Sequence, residues 1–208
     1  METSSQDDGV SLCYNILILV TCLIGDVLLS RDIVPNNHLR AVLDNLTHGL
    51  IGFWSWAVVV GLRTRTDFLQ CFLAFILASV IDVDHFLAAK SLRLQDALSL
   101  PSRPFFHAST VILPLTIALW TIGEVSRDNR FHILSLMFFT SWTSHHIRDA
   151  HRRGLWFPPF GETPPLRKNL YLCLLICIPL VVKVLNQYGL TRARRRQIHI
   201  DRSDILFA

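Results

Sequence analysis

Residues 68–89 read FLQCFLAFILASVIDVDHFLAA, and this stretch decides the fold class. It is long enough for a transmembrane helix, because the hydrocarbon core of a bilayer requires about 20 mostly apolar residues in helical conformation. Apolar residues surround the predicted helix instead of repeating on one face, which is typical of a helix solvated by lipid or by other membrane helices. Its ionisable residues, Asp82, Asp84 and His85, lie near its end. The stretch therefore predicts a membrane helix with one polar end.

Five further segments have the same character, although the second, fourth and fifth are shorter and carry polar groups near one end. Together the six predict an all-α, polytopic membrane protein, a bundle of about six transmembrane helices. The six segments are residues 12–29, 47–62, 68–89, 108–122, 131–147 and 170–185. Since no linker is long enough to separate two domains, residues 1–208 are predicted to form a single membrane domain that ends in a basic tail over residues 189–208.

The composition agrees with a membrane protein and excludes a disordered chain. Of the 208 residues 51% are hydrophobic and only 17% are charged, whereas an ordinary soluble domain has about 25% charged residues. The net charge of +4 is divided among short segments and the tail, so it forms no basic face for nucleic acid. The five cysteines lie inside apolar segments without a C-x-x-C pair, which favours free buried thiols. Membrane lipids, and no nucleic acid, are the expected partners.

The two ends of the chain bear on its orientation. Residues 1–11 contain no basic residue, which is the reverse of a signal peptide, so the first helix is expected to remain as an anchor. Lysine and arginine are almost equally divided between the two predicted faces. The dense cluster from Arg192 to Arg196 favours cytosolic termini. The sequence thus predicts an integral multi-pass protein, which we expect in an endomembrane.

Ionisable residues inside membrane segments are costly, and each of them marks a candidate functional site. Successive helices run in opposite directions, so the start of an even-numbered helix and the end of an odd-numbered one lie at the same membrane face. The ionisable residues of this chain occupy those positions. They are predicted to converge opposite the termini: His48, Asp82, Asp84, His85, His107, His145, His146 and Asp149.

Helical spacing indicates which of these side chains share a face, because residues three or four apart are neighbours on a helix. Asp84 points away from Asp82 on a regular helix, and it joins the site only if the helix unwinds there or if it acts behind the ligands. Imidazole and carboxylate are the usual ligands of catalytic zinc, and also of iron and manganese. The pattern therefore predicts a divalent metal ion, with zinc as the first candidate. Three helix ends each offer a carboxylate and an imidazole: Asp44 with His48, Asp82 with His85, and His145 with Asp149.

Other polar residues have simpler interpretations. A single histidine at a helix end is often an interfacial residue or a cap, and four are assigned to that class: His38, His132, His151 and His199. Asp26 either hydrogen bonds the metal ligands without binding the metal itself, or it is a polar residue that helps to pack the helices together. The longest break, residues 148–168, contains the aromatic segment from Gly154 to Gly161, which suits either a lid over the site or an interfacial anchor.

Several short motifs occur in one order along the chain: Thr47-His48-Gly49, Asp82-Val83-Asp84-His85, Arg103 with His107, Ser144-His145 with Asp149, and residues 154–160. In this order and spacing they resemble the YdjM-like family of bacterial inner-membrane, metal-dependent hydrolases, over residues 44–161. The resemblance implies metal ligands among the residues above, Asp84 included, and it favours His145 over His146. The chain as a whole also resembles a vertebrate transmembrane protein.

One departure from the family pattern concerns its third motif. The family has His-Arg ahead of Thr-His-Ser, whereas here Ser102-Arg103 precedes Phe106-His107-Ala108, so one histidine and two hydroxyl groups are missing. A member of the family that keeps the helices without catalysis is therefore a second expectation.

The leading hypothesis is a metal-dependent hydrolase that acts at the membrane surface on a lipid or lipid-linked (phospho)ester. Asp82 or Asp84 would serve as general base, and Arg103 would bind the phosphate of the substrate. The rival hypothesis is a non-enzymatic membrane scaffold; an ion carrier is disfavoured, because the opposite halves of the helices are almost wholly apolar. The predicted metal ligands are His48, Asp82, His85, His107, His145 and Asp149.

Overall fold

The fold is almost entirely helical, which confirms the all-α class. A computed structural model describes the backbone of residues 2–30 and 33–206, and the side chains of residues 9–30 and 33–189. The side chains of the predicted basic tail therefore lie outside the described residues, apart from Gly189. The helices are α1 Glu2–Leu28, α2 Asn37–Val60, α3 Arg65–Ser79, α4 Val83–Ala89, α5 Leu94–Leu98, α6 Ile112–Ser126, α7 Asn129–Arg153 and α8 Lys168–Leu206.

Short elements connect these helices near the candidate site. Single 3-10 turns span Val80–Asp82, Phe105–His107 and Ser109–Val111. Strands β1 Trp156–Phe157 and β2 Gly161–Glu162 form an antiparallel hairpin between α7 and α8.

Four helical stretches in the described part of the chain are long and apolar enough to cross a membrane: Gly9–Leu28, Arg65–Ala89, Ser109–Ser126 and Lys168–Gly189. They correspond to the first, third, fourth and sixth predicted segments. The other two segments form α2 and α7, which are helices but do not reach that hydropathy. These two helices are packed among the others and so carry more polar residues. The multi-pass helical fold is confirmed, whereas the number of six crossings stays a prediction.

Helix α2 begins ten residues before its predicted start, at Asn37. The cause is a cap at Asn36, whose side-chain oxygen accepts hydrogen bonds from the backbone N–H groups of His38 at 2.8 Å and Leu39 at 3.2 Å. Residues 30–46 lie between the first two predicted segments, so no helix is expected there from the sequence. As a result His48 lies in the middle of α2, and the prediction that it opens the helix is wrong.

Helices α2 and α3 approach closely because small residues meet at their contact. A Cβ atom on Gly52 would lie 2.7 Å from the Cβ atom of Ala78 and 2.9 Å from the carbonyl oxygen of Ala74. Small residues at such positions let membrane helices pack backbone against backbone. His48 lies one turn before Gly52 and Asp82 one turn after Ala78, so this contact brings the two polar residues together.

The half of the bundle away from His48 and Asp82 is closed by apolar side chains. Buried residues of α2, α3, α7 and α8 form one cluster there, which includes Trp56, Cys71, Met137 and Val182. Burial of such side chains removes apolar surface from water or lipid and packs the helices tightly. The polar residues are therefore gathered at one end of the bundle.

The hairpin is fixed to the end of α7 by Gly154. This residue has a φ of 76°, and a Cβ atom on it would lie 1.8 Å from the carbonyl oxygen of Thr163. Only glycine allows this close approach in that conformation. Backbone and side chain of Thr163 both hydrogen bond Leu155, and Trp156 forms a bridge with Ala108. The hairpin is thus held against the turns that precede α6.

Candidate metal centre

Six side chains from four parts of the fold meet at one end of the bundle; we call them the ligand cluster. Helix α2 contributes one residue, the region around the start of α4 two, the turn at Phe105–His107 one, and α7 two. Each offers a nitrogen or oxygen atom within 4.8 Å of those of two partners. The groups are His48 with Asp82 and His145, Asp82 with His85 and His107, and His107 with His145 and Asp149. All six predicted metal ligands are therefore brought together.

A change of helical pitch positions the two aspartates of the third predicted segment. Helix α3 ends at Ser79, a 3-10 turn follows at Val80–Asp82, and α4 begins at Val83. Because a 3-10 turn winds more tightly than an α-helix, it rotates the following residues relative to α3. Asp82 faces the ligand cluster, while Asp84 lies behind it and accepts a hydrogen bond of 2.6 Å from the backbone N–H of Phe106. The second arrangement considered for Asp84 from sequence is the one observed.

Four ligand atoms form the centre of the cluster. Nε2 of His107 lies 3.5 Å from Oδ1 of Asp82 and 3.6 Å from Oδ2 of Asp149. Nε2 of His145 lies 3.7 Å from each of the same two oxygens. Nitrogen and oxygen ligands of tetrahedral zinc are bound at about 2.0–2.2 Å, which separates them from one another by about 3.4 Å. Each of these four nitrogen–oxygen distances is close to the separation of neighbouring ligands on zinc, and three of the residues, His107, His145 and Asp149, offer ligand atoms within 4.8 Å of one another.

The other ring nitrogen of each of these histidines has a fixed partner. Nδ1 of His145 lies 2.8 Å from the carbonyl oxygen of Ala78, to which it donates. Nδ1 of His107 lies 3.3 Å and 3.4 Å from the two oxygens of Asp84. Neither Nε2 atom has a hydrogen-bond partner among the described residues, although both are buried. Metal-binding histidines are oriented in this way, with one nitrogen donating to a carbonyl or carboxylate.

The remaining two histidines contact these four residues. His48 stacks on His145 with ring centroids 3.8 Å apart, and its Nε2 lies 3.3 Å from Oδ1 of Asp149. His85 packs edge-on against His107, and its Nδ1 lies 3.3 Å from Oδ1 of Asp84. These contacts place both rings beside the four central ligand atoms.

Charged side chains around His107 set its protonation. Burial lowers the pKa of this histidine, but the carboxylates of Asp82 and Asp84 that face its two nitrogens outweigh burial and raise the pKa to about 9. The carboxylate of Asp149, 3.6 Å away, acts in the same direction. Without a metal ion, His107 is therefore positively charged at neutral pH.

A network of arginines supports the cluster from behind, and the sequence analysis missed it. The guanidinium of Arg148, only 1% exposed, hydrogen bonds the carboxylate of Asp44 and donates to Nε2 of His48 at 3.1 Å. Arg152 bonds both oxygens of Asp44, at 2.9 Å and 3.2 Å, and Oδ1 of Asp149 at 2.6 Å. Both arginines fall in the predicted break of residues 148–168, but α7 continues to Arg153. Their spacing of three from His145 and Asp149 could have placed them on that helix.

Four other predicted polar residues serve the surroundings of the cluster. Arg103 donates to the carbonyl of Gly154 at 2.8 Å and pairs with Glu162 at 3.2 Å, so it holds the hairpin. Both nitrogens of His146 are hydrogen bonded at 2.9 Å, to Ser109 and to Phe106, which fixes the turns before α6. Asp26 accepts from Tyr171 and lies 3.6 Å from Arg148, whereas Asp44 pairs with the arginines.

The histidines assigned to simpler roles lie outside the ligand cluster. His38 is exposed on α2, His132 pairs with Glu124 at 3.4 Å, and His151 lies 2.9 Å from the carbonyl oxygen of Leu166. The side chain of His199 is outside the described residues.

A small cavity leads to the cluster beside the hairpin; we call it the mouth. Its volume is about 10 Å³, and its lining includes Arg103, His107, Asp149, Arg153 and Trp156. A cavity of this size holds about one water molecule. The hairpin and this cavity therefore lie beside the part of the ligand cluster that contains His107 and Asp149.

The chain is similar over most of its length to vertebrate proteins named transmembrane protein 267. It is 50% identical to that of Mus musculus over 172 residues, which cover 81% of this chain and 80% of the relative. It is 44% identical to that of Bos taurus over 196 residues, covering 92% and 91%. The chain belongs to the transmembrane protein 267 family. The predicted likeness of the whole chain to a vertebrate transmembrane protein is confirmed.

Membership of the transmembrane protein 267 family supports a membrane protein, and the apolar helices agree with it. No family model matches the chain. No solved structure matches it. The resemblance to YdjM-like hydrolases has no support from these comparisons. The compartment and the orientation of the termini also stay predictions.

Proposed function

We propose that the protein is a metal-dependent hydrolase that acts at the membrane surface on a lipid or lipid-linked (phospho)ester. One observation carries the proposal: the Nε2 atoms of His107 and His145 are buried, form no hydrogen bond with the described residues, and face the same two carboxylates, Asp82 and Asp149. Buried polar atoms without a partner are rare and call for an explanation. A divalent ion, with zinc as the first candidate, would give both nitrogens a partner.

The metal supplies two things when bound: it lowers the pKa of a water molecule towards about 7, and it polarises an ester oxygen. The protein must also accept a proton from the water. Asp84 already binds Phe106 and His107, so its role is to orient His107. Asp82 directs Oδ1 to the imidazoles, and its side chain is 26% exposed, which favours its other oxygen as the general base.

These groups account for the bonds and the proton of the hydrolytic step. The oxygen of water forms a bond to the phosphorus or acyl carbon of the ester as the bond to the alcohol oxygen breaks. One proton passes to Asp82 and then to the departing alcohol. This assignment favours Asp82 over Asp84 as base. Arg103 holds the hairpin through Gly154 and Glu162. It can bind the phosphate of the substrate, as the sequence predicts, only by giving up these two partners.

The location of the cluster supports a substrate in the membrane. His107 lies two residues before the stretch Ser109–Ser126, and Asp82 and His85 lie in the last two turns of Arg65–Ala89. Both stretches are candidate membrane spans, so these residues belong at the boundary of the hydrocarbon region. A water-soluble substrate would not need a site there, whereas the ester groups of lipids lie at that depth.

Metal content tests the first part of the proposal. The full chain, purified in detergent and dialysed, should contain stoichiometric zinc by mass spectrometry, and His145→Ala and Asp149→Asn should lose it. His38→Ala, an exposed histidine of α2, is the matched control and should keep it. Metal-free wild-type protein that also fails to take up added zinc, iron or manganese would overturn the proposal.

Hydrolysis tests the second part. Phospholipids and polyprenyl phosphates in mixed micelles should be cleaved by the wild-type protein, and a chelator should stop the reaction until zinc is restored. Cleavage that continues unchanged in His145→Ala would show that a contaminant is responsible and would contradict the proposal.

A structural metal site in a non-enzymatic scaffold is the second candidate, and burial favours it. His48 and His145 are each 1% exposed, and the mouth admits only about one water molecule. An ion there would tie α2, α4 and α7 together, as structural zinc does. Stoichiometric metal whose removal lowers the unfolding temperature, without hydrolysis of any lipid tested, would favour this function.

A further inference from the structure

An apolar groove lies between the first turns of α6 and the hairpin. Its volume is about 700 Å³, within the usual range of ligand pockets. Leu113 and Pro114 line it on the helix side, and Phe157 and Phe160 line it on the hairpin side. The groove is far larger than the mouth and is not part of the ligand cluster.

The groove is positioned to meet lipid. Leu113 is 60% exposed, and it belongs to the candidate membrane span Ser109–Ser126. Phe160, at the tip of the hairpin, is 86% exposed. Exposed aromatic side chains beside the start of a membrane span are typical of the interface between lipid and water. An acyl chain from the surrounding bilayer can therefore enter the groove without crossing water.

The groove adjoins the mouth at Ser109. Ser109 lines both cavities, and its hydroxyl group is hydrogen bonded to His146. A ligand that fills both would be apolar over most of its length and polar at the end near the ligand cluster. This is the shape of a lipid with its headgroup towards the metal centre.

The charge of the mouth indicates a headgroup that carries a phosphate. Arg153 lines the mouth, and its guanidinium forms no hydrogen bond or ion pair with any side chain the structure describes. The neighbouring carboxylate of Glu162 is paired with Arg103 at 3.2 Å and so does not cancel this charge. Guanidinium groups bind phosphate oxygens in a bidentate manner. A phosphate diester at the mouth would give Arg153 its partner.

We propose that the groove binds one acyl chain of a glycerophospholipid, with the lipid phosphate on Arg153 at the mouth. The inference rests on the proposed function in one respect: for a hydrolase, this bound phospholipid is the substrate. Binding itself requires only the apolar walls of the groove and the arginine. It therefore does not depend on the metal.

Lipid binding by the full chain tests the inference. Delipidated protein in detergent is titrated with dioleoyl phosphatidylcholine, and bound lipid is counted by native mass spectrometry. We expect one saturable lipid, bound at least tenfold more weakly by Leu113→Trp, which fills the groove. Ile117→Trp is the matched control, because Ile117 lies one turn further along α6 and is 62% exposed. Equal affinities for the two variants would overturn the inference.

The arginine is tested in the same titration. Arg153→Gln should weaken binding several-fold, whereas Arg93→Gln, at another exposed arginine, should leave it unchanged. Unchanged binding by Arg153→Gln would overturn the phosphate contact.

Two further measurements separate the possible outcomes. Wild-type protein should be labelled at the hairpin by a phosphatidylcholine with a photoreactive acyl chain, which keeps the test valid if Leu113→Trp does not fold. Wild-type protein stripped of metal with a chelator should bind lipid as tightly as the untreated protein, so a failure of the proposed hydrolase leaves this result standing. Labelling that is absent from the hairpin, or a groove occupied by a second copy of the chain in cross-linked dimers, would contradict the inference.

Discussion

Asp84 and His107 are joined across two separate segments of the chain: both carboxylate oxygens of Asp84 lie within 3.4 Å of Nδ1 of His107. The contact directs Nε2 of His107 towards Asp82 and Asp149. A carboxylate behind a metal-binding histidine fixes the orientation of the ring and increases its basicity. Asp84 would therefore act, through His107, on a metal ion bound by that histidine.

The variant Asp84→Asn should weaken zinc binding without abolishing it. The amide keeps the size of the side chain but loses its charge, and loss of such a partner typically reduces metal affinity by about 10–100-fold. Competition with a chelator measures the affinity, and Asp96→Asn, at an exposed carboxylate, is the control. An unchanged affinity in Asp84→Asn would mean that the contact does not tune the site.

Zinc affinity should rise with pH because of His107. Its pKa of about 9 in the metal-free protein means that zinc must displace a proton below that pH. Affinity should therefore increase about tenfold per pH unit from neutral pH to about pH 9 and then level off. Chelator competition at several pH values checks this, and in Asp84→Asn the increase should level off at a lower pH. A flat profile between pH 7 and 9 would contradict the prediction.

The sequence predicts which residues form the site better than it predicts where their helices begin and which residues support them. Periodicity and length identify the apolar helices, and the alternation of helix direction is enough to bring His107 and His145 to one face. Periodicity cannot show that α2 begins at Asn37, because that start depends on a side-chain cap at Asn36. Nor does it show Arg148 as a buried residue, since its burial depends on Asp44, which is distant in sequence.

Metal binding should depend on the close packing of α2 on α3. In Gly52→Ala the new methyl group would meet Ala78 at 2.7 Å and the backbone of Ala74 at 2.9 Å, so the helices must separate. Overpacking of this kind costs about 1–3 kcal/mol. We expect a lower unfolding temperature in detergent and weaker zinc binding, because His48 and Asp82 move apart. Gly9→Ala, where no atom lies within 4 Å of the new methyl group, should change neither quantity.

Arg148 and Asp44 should be strongly coupled in stability. Arg148 is buried beside Asp44 and Asp26, so Arg148→Met leaves both partly buried carboxylates with fewer partners. Removal of one partner from a buried ion pair costs about 3–5 kcal/mol, whereas removal of both is often tolerated. The double variant with Asp44→Leu should therefore be less destabilised than the sum of the single variants, by about 1–3 kcal/mol. Chemical unfolding of the four proteins in detergent measures this difference, and strictly additive effects would show that Arg148 stabilises the bundle by packing alone.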